Sequence, residues 1–277
     1  MKIISVSLKE EYGAFGGKLD CLSLDNTCPH TENDWKRPCV IVVPGGGYAS
    51  VSAREGEGVA AQFLARGYQV AVLTYSVVGQ GAKYPDQLIE LGCAVDYVKK
   101  HAKELYINPD EVFVVGFSAG GHLTANLAVD YASISGYLGR ELNAKPTAVG
   151  LCYPVITNEE AHIGSHNNLL NGYSEEEKAE LLKRVNLDKM VTENTAPAYI
   201  WTTATDNVVP AANSLRFATA LAKNGVAYEL HVYPSGVHGL STGDDEVSYS
   251  LFSGEKRFTA WMHDCAGFFR SFCTEKF

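Results

Sequence analysis

The stretch from Glu111 to Leu127, EVFVVGFSAGGHLTANL, restricts the fold of this chain more than any other. A β-branched apolar run, Val112 to Val115, meets Gly116-Phe117-Ser118-Ala119-Gly120, and a helix-compatible segment follows at once. A strand and a helix joined by so few residues must reverse sharply. Glycines two before and two after the serine suit such a reversal, because side chains there would collide across the turn. The turn presents Ser118 beyond the strand, at a helix start whose amides favour negative charge. The same pattern recurs at Gly239-Leu240-Ser241-Thr242-Gly243. No apolar strand precedes that copy and it runs into Asp244-Asp245-Glu246, so it reads as a loop.

Around this stretch, strand and helix patterns alternate. Ile4, Val6 and Leu8 alternate and Lys18 to Leu24 looks like a second strand, which predicts an antiparallel pair at the start. Wholly apolar Cys39 to Val43 reads as a strand buried on both faces, ending in Pro44-Gly45-Gly46-Gly47-Tyr48. A helix at Glu57 to Ala65, a strand at Gln69 to Tyr75 and a helix through Leu88, Leu91, Val95, Val98 and Ala102 follow. Further strands are expected at Ala148 to Val155, Ala198 to Thr203 and Tyr228 to Tyr233. A helix at Ala211 to Lys223 would carry Leu215, Ala218 and Ala222 inward, and Phe258 to Phe272 marks an amphipathic last helix. Residues 157–197 interrupt the alternation; apart from a capping box at Ser174 to Glu177 they read as polar loop.

Such alternation implies one α/β domain over residues 1–277, with a doubly wound, mostly parallel sheet of about eight strands. Residues 157–197 would form a small cap within it. Loops then gather beyond the carboxyl ends of the strands, where sheets of this kind bind ligands. Gly45 to Gly47, Ser118, Asp206 and His238 all fall at such ends.

A formal charge of −9 argues against nucleic acid or an anionic membrane as the main partner. The amino-terminal residues alternate instead of forming a signal-peptide core, and no apolar run is long enough to span a bilayer. Seven scattered cysteines suggest reduced thiols and a cytoplasmic protein. Cys21 and Cys28 have no paired cluster elsewhere, so no metal site is expected.

A serine hydroxyl becomes a useful nucleophile when a neighbouring base takes its proton, and histidine is the usual base. His238, in a glycine-flanked loop after a late strand, is best placed; His122 is nearer in sequence but lies along the helix after Ser118. A carboxylate must orient the imidazole, and Asp206 ends the preceding strand, where a turn-capping role is its alternative. An acyl-transfer serine also needs amides aimed at the developing oxyanion. Gly46, Gly47 and Ala119 can supply three, the alternative being a tight turn. No Lys-Ser/Thr follows the glycines and no G-x-G-x-x-G can be built, which disfavours a nucleotide site. Tyr48, His162, His166 and Tyr173 are weaker candidates for substrate contacts, with a solvated cap surface as the alternative for the last three.

In order, the motifs PGGGY, GFSAGGH, TATDNVVP and YPSGVHGL resemble the bacterial acetylesterase/lipase branch of the α/β-hydrolases, related to hormone-sensitive lipases. They are most similar to small carbohydrate esterases of the acetylxylan-esterase type, and the likeness covers about residue 38 to the carboxyl end. The resemblance implies an α/β-hydrolase fold, a Ser118–Asp206–His238 triad, an oxyanion loop at Gly46 and Gly47, and no cofactor. It departs in one place: the group's HGGG is here Pro44-Gly45-Gly46-Gly47, so the loop must be held differently. The expected activity is a serine carboxylesterase removing acetyl or other short acyl groups, with sugars or xylo-oligosaccharides as the alcohol. Two alternatives stay open: an amide hydrolase or peptidase on the same machinery, and a non-catalytic small-ligand receptor. The expected partner is a small acyl ester, an acetylated oligosaccharide among them, and the sequence is compatible with a homo-oligomer.

Overall fold

The computed structural model describes residues 1–25, 35–160, 163–244 and 257–274. Among these residues eight strands form one sheet: β1 (Lys2–Ser7), β2 (Lys18–Ser23), β3 (Arg37–Val43), β4 (Gln69–Thr74), β5 (Ile107–Phe117), β6 (Val149–Cys152), β7 (Ala198–Thr203) and β8 (Tyr228–Tyr233). The helices are α1 (Leu8–Tyr12), α2 (Glu57–Leu64), α3 (Asp86–Lys100), α4 (Ala119–Asp130), α5 (Ile134–Leu138), α6 (Gly164–Leu169), α7 (Glu175–Val185), α8 (Ala212–Lys223) and α9 (Trp261–Arg270). Strand order is β1-β2-β4-β3-β5-β6-β7-β8. β1 and β2 pair antiparallel, β2 joins β4 antiparallel, and from β4 to β8 the strands run parallel.

Alternation along β3 shows why the sheet is buried on both faces. Cys39, Ile41 and Val43 pack with Leu88, Leu91 and Val95 of α3 and Leu123 and Leu127 of α4. Val40 and Val42 turn the other way, towards the cluster holding Phe63 of α2 and Trp261, Cys265 and Phe269 of α9. The second cluster is aromatic: Phe113 stacks on Phe269 at 4.5 Å between centroids, and Trp201 stacks with both Trp261 and Phe258. Burying each such ring stabilises the fold by about 1.5–3 kcal/mol.

Three sequence expectations shift. β6 stops at Cys152 because Tyr153 takes a left-handed φ of 38° and Pro154 has no N–H for a ladder. In α8 the inward face is Phe217, Ala218 and Leu221, whereas Leu215 is 48% exposed and Ala222 is also exposed. The bulkier Phe217 sets the helix's rotation on the sheet. Residues 157–197 are less loop-like than their polarity suggests. They contain α6 as well as α7, and Leu169, Leu170, Val185 and Leu187 join the core. The capping box forms as read: Glu177 N–H donates to Ser174 Oγ, and Ser174 N–H to the Glu177 carboxylate.

Register aligns the carboxyl ends of the parallel strands. Val43 pairs with Gly116, Phe117 with Cys152, Cys152 with Trp201, and Thr203 with Tyr233. The segments leaving β3, β5, β6, β7 and β8 therefore meet.

Candidate active site

Ser118 sits alone between β5 and α4 with φ 53° and ψ −116°, a conformation that L residues rarely adopt. The surrounding chain holds it there. Ser118 N–H donates to Cys152 O, and Ser118 O accepts from the amides of His122 and Val155. The flanking glycines are sterically required. A Cβ on Gly116 would lie 2.2 Å from Gly120 O, and one on Gly120 would lie 2.2 Å from Val43 O.

Ser118 Oγ is 2.8 Å from His238 Nε2, and His238 Nδ1 is 2.7 Å from Asp206 Oδ2. An ionised carboxylate only accepts, so Nδ1 carries the hydrogen and Nε2 is left to accept from the serine hydroxyl. The second Asp206 oxygen, Oδ1, accepts the amides of Val208 and Val209, each at 2.9 Å. One Asp206 oxygen thus caps the turn while the other faces the imidazole. The loop bearing His238 is anchored at Gly236, whose carbonyl accepts from the hydroxyls of Thr203 and Thr205. The Tyr153 ring meets the His238 ring edge-on, 5.1 Å between centroids.

A cleft of about 430 Å³ opens over Ser118, lined by Gly46, Gly47, Arg54, Val208 and His238 among others. Gly46 and Gly47 have φ of 126° and 64°, and a Cβ on Gly46 would lie 2.1 Å from Ser50 O. Among the described residues the amides of Gly46, Gly47 and Ala119 donate to no protein group. Unspent donors beside a serine hydroxyl are what an oxyanion developing there would require.

The weaker candidates lie elsewhere. Tyr48 is buried with φ 59°, and its hydroxyl donates to His122 Nδ1 at 2.8 Å, so it supports α4 from within and does not line the cleft. His166 is also buried. Its Nε2 and that of His122 both donate to Val185 O, at 3.1 and 2.8 Å, which makes it a packing residue of the 157–197 stretch. Burial, and then His166 itself, push the His122 pKa down to about 3, so His122 stays neutral and serves as no base for Ser118. Tyr173 donates its hydroxyl to Tyr84 O at 2.6 Å beneath Lys83, away from the cleft. His162 lies outside the described residues.

Several contributors escape sequence reasoning. Ser241, centre of the second G-x-S-x-G, shares Ser118's positive φ of 53° but is fully buried, and its Oγ donates to Arg54 O. Glu55 and Tyr153 are buried against the loops bearing the glycines and His238. Glu55 gives one faint sequence signal, an acid within ten residues of a glycine loop. Asn168 Nδ2 donates to Gly47 O at 2.8 Å, tying α6 to the glycine loop.

Among the described residues no cluster of three or more His, Cys, Asp or Glu could hold a metal ion. No described helix is long and apolar enough to cross a membrane. Cys21, Cys39, Cys93, Cys152, Cys265 and Cys273 are free thiols; Cys28 lies outside the described residues.

Residues 24–221 match the BD-FAE family, and residues 184–268 match the dienelactone hydrolase family. Endo-1,4-beta-xylanase B of Butyrivibrio fibrisolvens is 35% identical over 236 residues, 80% of this chain and 35% of the relative. An acetylxylan esterase of Xylanibacter ruminicola is 31% identical over 211 residues, 74% of this chain and 41% of the relative. The match therefore covers less than half the length of each of these curated relatives. The crystal structure of an acetyl ester-xyloside bifunctional hydrolase from Caldicellulosiruptor lactoaceticus is similar at 34% identity and a TM-score of 0.78, covering 93% of this chain and 88% of that one.

Proposed function

The chain belongs to the BD-FAE family and has the α/β-hydrolase fold, and on that premise we propose that it is a serine carboxylesterase. The observation that carries the reading is the hydrogen-bonded series Ser118–His238–Asp206 at a cleft lined by Gly46 and Gly47, whose amides, like that of Ala119, donate to no protein group.

Ser118 Oγ attacks the acyl carbon while His238 Nε2 takes its proton. Negative charge develops on the carbonyl oxygen, where the amides of Gly46, Gly47 and Ala119 receive it. Asp206 holds the imidazole in the accepting tautomer and stabilises the imidazolium. Collapse of the adduct breaks the bond to the alcohol oxygen, which leaves with the proton from His238, and Ser118 keeps the acyl group. Water then attacks the acyl-serine with His238 again as base, releasing the acid and restoring the serine.

The substrates are acetyl and other short acyl esters, with acetylated xylo-oligosaccharides as the natural class. Two observations support this: the compact cleft, and the acetyl-ester and xylan chemistry in the names of the similar proteins. The test is a panel of acetylated xylo-oligosaccharides and p-nitrophenyl esters of rising chain length, with fluorophosphonate labelling of wild type and Ser118→Ala. Wild type should cleave the acetyl esters fastest and take the label, and the variant should do neither while staying folded. Turnover surviving in Ser118→Ala, or a wild type inert to esters and label alike, would overturn the reading.

A further inference from the structure

Pro44 offers the glycine loop neither an N–H nor a polar side chain, and three successive glycines have the most conformational freedom to lose. Something outside the loop must hold it. Ser52 N–H reaches back to Gly45 O, and the amides of Ala49 and Ser50 to Gly46 O, but these bonds are local. The remote tethers are Asn168 on Gly47 O and the Glu55 carboxylate on Gly45 N–H at 2.8 Å.

Glu55 is 3% exposed, and both of its oxygens are occupied. Oε2 accepts from Gly45, and Oε1 accepts from the Tyr153 hydroxyl at 2.7 Å. The Tyr153 oxygen in turn accepts Ser241 N–H at 2.8 Å, which directs the tyrosine's own proton towards Glu55. The chain of bonds thus runs from Ser241 through Tyr153 and Glu55 to Gly45. It links the segment just after His238 to the loop that carries the oxyanion amides. The adjacent residue completes a clamp: Arg54 O accepts from Ser241 Oγ at 2.8 Å, and Arg54 Nη1 donates to Gly239 O at 3.2 Å. The second G-x-S-x-G finds its use here, as the far jaw of that clamp.

We propose that Glu55 is a positioning residue for catalysis, fixing the oxyanion amides relative to the imidazole through Gly45 on one side and Tyr153 on the other. The proposal rests on the esterase reading. The chemistry demands a carboxylate, because two donors converge on the side chain and only a carboxylate presents two acceptors. Glutamine offers one acceptor and sets an N–H against the other donor.

The test compares wild type, Glu55→Gln, Tyr153→Phe and the double variant for kcat and KM on p-nitrophenyl acetate. It also measures inhibition by phenylboronic acid, which forms a tetrahedral adduct on the serine, and thermal stability. Displacing amides that act in the transition state lowers kcat, so Glu55→Gln should lose about 10- to 100-fold with KM changed by less than about twofold. Boronate affinity should fall by a similar factor. Tyr153→Phe, which keeps the ring, should lose a smaller factor, and the double variant should lose less than the product of the two, since both act through one chain of bonds. A folded Glu55→Gln with unchanged or raised kcat and unchanged boronate affinity overturns the proposal, as does a loss confined to KM. If Glu55→Gln does not fold, an unaltered Tyr153→Phe overturns it alone. A wild type without esterase activity or fluorophosphonate labelling overturns the esterase reading and this proposal together, whereas an active wild type with indifferent variants overturns only this one.

Discussion

Replacing Ser118 by glycine and, separately, by alanine isolates the strain stored at the serine. Both variants lose Oγ and its bond to His238 Nε2, and they differ only in the Cβ. At φ 53° and ψ −116° a residue with a Cβ is strained by about 1–3 kcal/mol. The backbone has little room to relax, because Ser118 N–H is held by Cys152 O and Ser118 O by the amides of His122 and Val155. Glycine escapes that strain but gives up about 0.4–1 kcal/mol through its freer unfolded chain. The difference leaves Ser118→Gly more stable than Ser118→Ala by up to about 2.6 kcal/mol, and by about 1.3 kcal/mol at mid-range. For a chain of this size the mid-range value is roughly 2–3 °C in Tm. Urea unfolding followed by circular dichroism gives the two midpoints, with equal m-values expected. An alanine variant as stable as the glycine variant, or more so, would refute the claim that this turn is strained and held by its neighbours.

Asp206→Asn leaves the turn cap on Val208 and Val209 available but removes the acceptor that selects the His238 tautomer. It should lower kcat on p-nitrophenyl acetate by about four orders of magnitude with KM little changed. Gly120→Ala places a methyl 2.2 Å from Val43 O and 2.3 Å from Pro44 O, both backbone atoms. It should destabilise by about 3 kcal/mol or more, read as a lower urea midpoint. His122, with its pKa pushed down to about 3, takes up a proton on unfolding below its ordinary value of 6.5; its contribution is full above that pH and is lost as pH falls towards 3. His122→Gln should therefore flatten unfolding free energy against pH by up to about 1.4 kcal/mol per unit in that window, measured by urea titrations at several pH values. Glu90, pushed up to about 6 by burial, acts with the opposite sign: its contribution is full below 4.5 and is lost as pH rises through 6, so Glu90→Gln should steepen the curve there.

The turn at Ser118 is legible in sequence because its signals are local: a β-branched strand, glycines at fixed offsets and a helix without a break. Asp206 and His238 are legible by position, since parallel strands bring their carboxyl ends to one side. The failures have equally physical causes. Tyr48 is a large polar residue beside a glycine loop, yet its positive φ turns the ring inward to His122, and no local pattern announces that. His166 reads as surface because its neighbours are polar, but α6 buries it against His122, 4.9 Å between ring centroids. Glu55 meets Tyr153 across 98 residues of sequence, and such a pairing is visible only once the sheet has assembled.

Asn168 gives the 157–197 stretch a hold on the glycine loop. Its amide holds Gly47 O, the carbonyl of a residue that lines the cleft with Ser118. For protein engineering this makes two segments far apart in sequence one unit. Replacing 157–197 leaves Gly47 O without its donor unless an amide like that of Asn168 is kept on α6, so a swap there also reaches the glycine loop. Grafts that keep Asn168 preserve the tether, and their other effects can be read without that second change.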